Sequence, residues 1–290
     1  MIFEQTYQLN NGVSVPSLGF GTWMIDDARA AQVVRDAADI GYRHFDTAQA
    51  YGNEAGVGDG LRTCGVPRDE LFVTTKLDAG IKSFEEAKKA IDGSLETMGL
   101  ETIDMMIIHS PQPWDQFRKG EHFFDGNLQA WRALEEALQA GKLRAIGVSN
   151  FEALDIDNIL DHGSVPPAVN QVLAHVANTP FDLVEYCESR DILVEAYSPM
   201  GHGEILDRPD IRAIADKYGV STAQLCIRYC LQLGLLPLPK TGTPSHMRAN
   251  AEVGFEIAAD DMDALKTVAP IRDYGEASSF PVYGDDARSR

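Results

Sequence analysis

Residues 41–54 read GYRHFDTAQAYGNE, a stretch in which an apolar run is broken by a histidine, an aspartate and a tyrosine. A helical pattern precedes it. Ala30, Val33, Val34, Ala37 and Ala38 recur at helical spacing behind Asp26 and Asp27, which are placed to cap that helix, and Gly41 ends it. The segment through Phe45 therefore reads as a short strand that delivers Asp46, and then Tyr51, into the loop beyond. A buried carboxylate beside a phenol is an uncommon pairing, and one that a barrel-type enzyme can use.

Working outward, the same strand–helix unit recurs along the chain. YQLNNGVSV at 7–15 is two extended runs around Asn11–Gly12, a hairpin signal. SLGFG, beginning at Ser17, is a short apolar strand. LFVTTK is a strand followed by a helix with a Ser83-x-x-Glu86 capping box and an apolar stripe of Phe84, Ala87, Ile91, Leu95 and Met98. IDMMIIH precedes a helix around Leu128, Trp131, Leu134 and Leu138 that stops at Gly141. LRAIGVS, PPAVNQ, ILVEAYS and LLPLPK complete the strands, with two successive helices at about 209–219 and 221–233 before the last. Eight strand–helix alternations after one hairpin predict an α/β chain folded as a (β/α)8 TIM barrel rather than an open doubly wound sheet. A chain of 290 residues suits one such domain over 1–290, with a polar tail at 270–290 expected to fold over the barrel mouth or to fray.

Acidic residues outnumber basic ones by 44 to 25, a net charge of −19, which argues against nucleic-acid partners and against anionic membranes. Cys64, Cys187, Cys226 and Cys230 have neither zinc nor redox spacing; Cys226 and Cys230, four apart on one helix face, read as two small buried hydrophobes rather than a disulfide, and reduced thiols fit the cytosol. The start, MIFEQTYQLN, lacks the basic and apolar regions of a signal peptide, and no apolar run approaches the roughly 18 residues of a membrane span. The expectation is a soluble cytoplasmic monomer.

In a barrel of this kind the chemistry sits where the strands end. Those ends supply Asp46 with Tyr51 beyond it, Lys76, His109, Ser149–Asn150, Asn170–Gln171, Tyr197–Ser198 and Lys240–Thr241. Taken singly, Asp46 and Lys76 make an internal ion pair, Tyr51 a packing residue and His109 a satisfied core histidine. Together on one rim they suggest a tuned phenol. A lysine cation lowers the pKa of a nearby tyrosine, an aspartate orients the lysine, and a histidine bonds a substrate oxygen. Such a set protonates a carbonyl oxygen while something else attacks its carbon. GVGDG at 56–60 falls in a helix and is no dinucleotide fingerprint. His44 and Asp46 point the same way from one strand, but no HxH, HExxH or cysteine cluster supports a metal.

With LGFGTW, GYRHFDTAQAYGNE, LFVTTK, IIHSP, GKLRAIGVSNF, Asn170–Gln171, EAYSPMG and PLPKT in this order, the chain resembles the aldo-keto reductases over most of its length, and within them the bacterial diketogluconate reductase-like branch. The resemblance implies NADPH as cofactor, with NADH as the other candidate, and a small-molecule aldehyde or ketone as substrate. It implies Tyr51 as general acid, Lys76 and Asp46 as the groups that tune it, and His109 as the residue that orients the carbonyl. Ser149, Asn150 and Gln171 would hold the nicotinamide carboxamide, with Tyr197 stacked on its ring. The backbone from Ser198 through Met200 to Gly201 would wrap the pyrophosphate, and Lys240, Thr241, His246 and Asn250 would hold the adenosine end.

Three positions depart from the family pattern. His246 stands where an arginine is usual, and an imidazole lacks the guanidinium fork, so Arg248 is a candidate to compensate. Asp78 and Ser110 stand where many members carry tryptophan, which predicts a more polar pocket suited to a small hydroxylated carbonyl such as a keto-sugar or keto-acid. Trp23 remains, with Trp114 or Phe123 to line the opposite wall. The rival readings are a cofactor-binding subunit without turnover, a metal-dependent hydrolase built on His44, Asp46 and His109, and a Schiff-base aldolase using Lys76.

Overall fold

A computed structural model describes residues 1–284. The hairpin pairs β1 (Thr6–Gln8) with β2 (Ser14–Pro16), antiparallel, around the Asn11–Gly12 turn. Eight parallel strands follow in sequential order: β3 (Gly19–Gly21), β4 (His44–Asp46), β5 (Phe72–Leu77), β6 (Ile103–Ile108), β7 (Leu143–Ser149), β8 (Val169–Leu173), β9 (Leu193–Tyr197) and β10 (Leu236–Leu238). Helices α1 (Asp27–Ile40), α2 (Glu54–Thr63), α3 (Phe84–Met98), α4 (Phe124–Gln139), α5 (Ala153–His162) and α6 (Phe181–Glu188) cover the crossovers. The paired helices expected before the last strand are α7 (Pro209–Tyr218) and α8 (Thr222–Gln232), and α9 (Pro244–Ala251) and α10 (Ala259–Lys266) follow β10.

Glycine lets the first strand meet the last. A Cβ on Gly19 would stand 2.3 Å from Leu238 Cδ2, and one on Gly21 would stand 3.2 Å from the Leu238 carbonyl oxygen. With neither present, the Gly21 N–H donates to the Pro239 carbonyl at 3.1 Å and the ring of strands closes. Asp26 makes no side-chain cap on α1, contrary to the expectation drawn from its position. Asp27 Oδ1 instead accepts the Gly56 N–H at 2.7 Å, tying α1 to α2. Of the Ser83–Glu86 box the N-cap half forms, with Ser83 Oγ accepting from the Glu86 N–H at 3.4 Å, while the Glu86 carboxylate accepts from Ser83 Oγ at 2.6 Å rather than from its backbone.

Alternation along each strand sorts its residues between two environments. Val73, Leu77, Met106, Ile108, Ile146 and Val148 face the helices in the main core. Phe72, Met105, Ile107, Ala145, Val169, Leu236 and Leu238 form a second core inside the barrel, closed from below by Leu9 and Val15 of the hairpin segment. Following that inner parity upward gives Thr74 and Lys76, His109, Ser149, Gln171, then Glu195 and Tyr197. The interior is apolar at the hairpin end and polar at the other, and the site lies at the polar end.

Candidate active site

Four side chains from three strand ends and one loop converge there. β4 presents Asp46, β5 presents Lys76, and the residue after β6 is His109. Tyr51 lies on a short 3-10 turn, Gln49–Tyr51, that Gly52 ends in a left-handed conformation. The Lys76 ammonium donates to Asp46 Oδ1 at 2.5 Å, to the Thr47 carbonyl at 2.9 Å and to Tyr51 Oη at 3.1 Å. All three of its hydrogens are used. Because Tyr51 Oη accepts from the lysine, its own hydrogen is left to point elsewhere, and Tyr51 borders the cavity. His109 meets the Tyr51 ring edge-on at 5.6 Å between centroids.

Burial pushes the Tyr51 hydroxyl well above its ordinary pKa, and Asp46 adds to the effect. The sequence led to the expectation that Lys76 would bring the phenol below its usual range; burial and Asp46 act in the opposite direction and favour the protonated tyrosine. His109 is held well below the usual histidine value by burial and then by Lys76, so its ring is neutral. Its Nδ1 is enclosed with no hydrogen-bond partner among the described residues, which favours placing the single ring N–H on Nε2.

The cavity beside these groups has a volume of about 790 Å³ and extends from Asp46 and Tyr51 to Lys240 and Asn250. Ser149, Asn150, Gln171 and Tyr197 line its inner end. Tyr197 Oη donates to Asn150 Oδ1 at 2.8 Å, and Asn150 Nδ2 donates to Ser149 Oγ at 3.0 Å and to the His109 carbonyl at 3.1 Å. Gln171 Nε2 donates to Asp46 Oδ2 and to Glu195 Oε2, each at 2.8 Å, so only its carbonyl oxygen is left for the cavity. Asn150 and Ser198 hold φ of +61° and +49°, the left-handed region that non-glycine residues seldom adopt and that clusters at functional sites.

Ser198, Met200, Lys240, Thr241, His246 and Asn250 also line the cavity. Arg248 is exposed and does not line it. Trp23 and Trp114 both line it, with Trp114 edge-on to His109 at 4.9 Å. Phe123 is absent from the lining and occupies the position before α4.

Asp78 and Ser110, expected to make the pocket polar, border it nowhere. The Asp78 carboxylate turns back to accept the Gly80 N–H at 2.8 Å, and Ser110 is fully buried with Oγ accepting from the Gln112 N–H. The mouth is apolar instead, because the tail folds over it. Phe280 lies 4.9 Å from Trp23 and Tyr283 stacks on the same indole at 6.1 Å, while Tyr283 Oη bonds Ser198 Oγ at 2.7 Å and His202 Nε2 at 2.9 Å. The end of the predicted tail, 285–290, lies outside the described residues.

Sequence reasoning passed over Glu195, and offered the tail as a cover for the mouth without assigning its aromatics to the wall. Glu195 had a signal, a lone carboxylate in the apolar strand ILVEAYS at the same parity as Tyr197. The tail had only its SFPVY cluster. Among the described residues no group of histidine, cysteine or acidic side chains is arranged to hold a metal, and no helix is long and apolar enough to cross a membrane.

Comparison with known proteins agrees with this geometry. The sequence model of the Aldo/keto reductase family matches residues 17–270. The chain is 38% identical over 264 residues to an uncharacterized oxidoreductase of Schizosaccharomyces pombe, C2F3.05c, covering 89% of this chain and 91% of that one. It is 36% identical over 264 residues to the glyoxal reductase of Bacillus subtilis, covering 90% and 92%. An aldo-keto reductase of Bombyx mori solved in complex with NADP superposes with a TM-score of 0.84 at 30% identity, covering 96% of this chain and 98% of that one. A parallel eight-stranded barrel, a hairpin under its floor and a match through 254 of its residues place this chain in the aldo-keto reductase family.

Proposed function

We propose that the protein reduces an aldehyde or ketone to the alcohol with NADPH, using Tyr51 as the proton donor. The observation that carries this reading is the bond from Lys76 Nζ to Tyr51 Oη at 3.1 Å, beside a neutral His109 at the head of a long cavity. When bound, the reduced nicotinamide supplies a hydride to the carbonyl carbon. The residues present suit such a group. Ser149, Asn150 and the Gln171 carbonyl oxygen supply polar atoms for a carboxamide, Tyr197 an aromatic face, and Lys240 a cation for a phosphate.

Tyr51 passes its hydroxyl proton to the carbonyl oxygen as negative charge develops there, and the Lys76 ammonium stabilises the phenolate that remains. His109 offers an N–H to the same oxygen and fixes which lone pair faces Tyr51. Asp46 keeps Lys76 charged and in place. The walls made by Trp23, Trp114 and Phe280 favour an aldehyde with an apolar body, and exclude water from the reacting carbonyl. The same reading takes residues 1–290 as one domain, acting as a cytoplasmic monomer on small molecules, with no nucleic-acid or membrane partner.

The test is NADPH oxidation with a panel of aldehydes and ketones, with the alcohol identified and counted. One alcohol formed per NADPH is expected, with higher kcat/KM for aryl and alkyl aldehydes than for keto-sugars. Bound NADPH with no turnover of any carbonyl would return the protein to the class of cofactor-binding subunits.

A further inference from the structure

Three ionisable side chains meet inside the barrel almost wholly shielded from solvent. Lys76 and Glu195 are 0% exposed and Asp46 is 3% exposed. One amide nitrogen, Gln171 Nε2, joins the two carboxyls at 2.8 Å each. The cluster thus holds two carboxyls and one ammonium. The ammonium spends its hydrogens on Asp46, Thr47 and Tyr51, and gives none to Glu195.

A buried carboxylate without a cation of its own is far costlier than the protonated acid. Asp46 has the lysine, so Glu195 is the carboxyl that keeps its proton. Glu195 Oε1 has no hydrogen-bond partner among the described residues, a state that an ionised oxygen at this depth would tolerate least. Burial, and then Asp46, push Glu195 up to about 8 against the opposing pull of the Gln171 hydrogen bond and Lys76. The neighbouring strands add no other charge in register: Gln171 on β8 and Leu236 on β10 flank Glu195. Across the barrel, His44 lies one inner position below Asp46 and is kept neutral by burial and Lys76, at about 3.

We propose that Glu195 is a positioning residue for carbonyl reduction: held as a neutral acid, it works through Gln171 to align Asp46 on Lys76 and to turn the Gln171 carbonyl toward the cavity, and its ionisation in alkaline solution weakens proton donation by Tyr51. The inference rests on the reductase reading above. Its sign follows from the charges. An added negative charge beside Asp46 makes the Tyr51 proton harder to release, as Asp46 itself already does. Reduction then slows as pH rises through the ionisation of Glu195. A side chain of the same shape that cannot ionise removes that step and leaves only the slower effects of Tyr51 and the cofactor.

The experiment compares wild type with Glu195→Gln, and with Glu195→Met as a second uncharged variant in case the first does not fold. Within each protein, kcat for aldehyde reduction at saturating NADPH is measured at about pH 6 and about pH 9 and expressed as a ratio. The wild-type ratio is expected to exceed the variant's by about threefold or more. In parallel, infrared difference spectra of wild type minus variant report the carbonyl stretch of a protonated carboxyl. That band is expected at about pH 6 and is expected to vanish by about pH 10. Equal ratios in wild type and variant would overturn the positioning role, and absence of the band at pH 6 would overturn the neutral acid. The infrared titration needs no turnover, so a wild type inert toward every carbonyl would count against the reductase reading and still decide the state of Glu195.

Discussion

The Lys76 ammonium donates to the Tyr51 hydroxyl at 3.1 Å, and that one contact determines how the phenol can work. An oxygen that accepts from lysine must aim its own hydrogen away, and the side open to it is the cavity. The lysine arrives from β5, two residues beyond the Thr74 that pairs with Asp46, and the tyrosine from the loop after β4, so the contact depends on β5 running past the end of β4.

Tyr51→Phe removes the donor and keeps the ring that packs near Trp23 and His109. Loss of a positioned general acid is expected to lower kcat for carbonyl reduction by about 10²- to 10⁴-fold. NADPH affinity, followed by quenching of tryptophan fluorescence, should change little. Undiminished turnover would mean that the proton comes from another group.

Lys76→Met leaves Asp46 buried without the cation it pairs with. Breaking a buried pair from one side typically costs about 3–5 kcal/mol. Urea unfolding of this variant should show that loss at neutral pH, and Lys76→Met combined with Asp46→Asn should recover part of it. A single variant as stable as wild type would show that the pair contributes nothing to the fold.

His246 lines the cavity near Lys240 and Asn250. Restoring an arginine there supplies a charged fork for a phosphate, and hydrogen bonds to charged groups contribute about 1.5–3 kcal/mol. His246→Arg is accordingly predicted to raise the NADPH-over-NADH preference in Kd by about tenfold or more. Equal tightening of both cofactors would mean that position 246 touches adenine rather than the 2′-phosphate.

His175 is buried and neutral, its value lowered by burial to about 3, with Nδ1 accepting from the Ala177 N–H and Nε2 against Tyr274 Oη at 2.9 Å. Its unfolded value is near 6.5, so between pH 6.5 and 3 the unfolded chain binds a proton that the folded chain refuses. The stability that neutral His175 preserves is complete above pH 6.5 and is lost as pH falls. His175→Phe removes this titration, and its stability deficit relative to wild type should shrink by about 2 kcal/mol between pH 7 and pH 5. Paired urea titrations at the two pH values measure it, and a constant deficit would show that His175 titrates normally.

Trp114 forms one wall of the mouth and meets His109 edge-on. Trp114→Ala is expected to raise KM for aromatic aldehydes about tenfold or more, with a smaller effect on short aldehydes, as removal of a buried aromatic contact implies. An equal rise for all substrates would assign the residue to holding His109 instead.

Much of this was legible in the chain itself. Apolar and β-branched runs in LFVTTK and IDMMIIH, broken by Lys76 and His109 at the strand ends, marked both the barrel and its working rim, because strands buried on both faces read as continuous runs. The Asn11–Gly12 turn and the Ser83–Glu86 cap were equally plain, since each depends on neighbours a few residues away. Asp27 was misread as a cap because its partner, Gly56, lies in another helix.

The limits of the sequence fall where the partner is distant. Asp78 and Ser110 each occupy a position suited to a pocket wall, yet a turn draws one carboxylate back and burial encloses the other hydroxyl, while Phe280 and Tyr283 arrive from the far end of the chain to wall the mouth. Glu195 and Asp46 are brought onto one Gln171 amide only when the strands close into a ring. By itself the sequence determined the strand order, the hairpin floor and the polar set at the strand ends, all consequences of local periodicity and turn chemistry. The tertiary structure alone decided the burial of Tyr51, the meeting of Glu195 with Asp46 on one amide and the apolar character of the mouth, because burial and pairing depend on which distant groups share a space from which water is excluded.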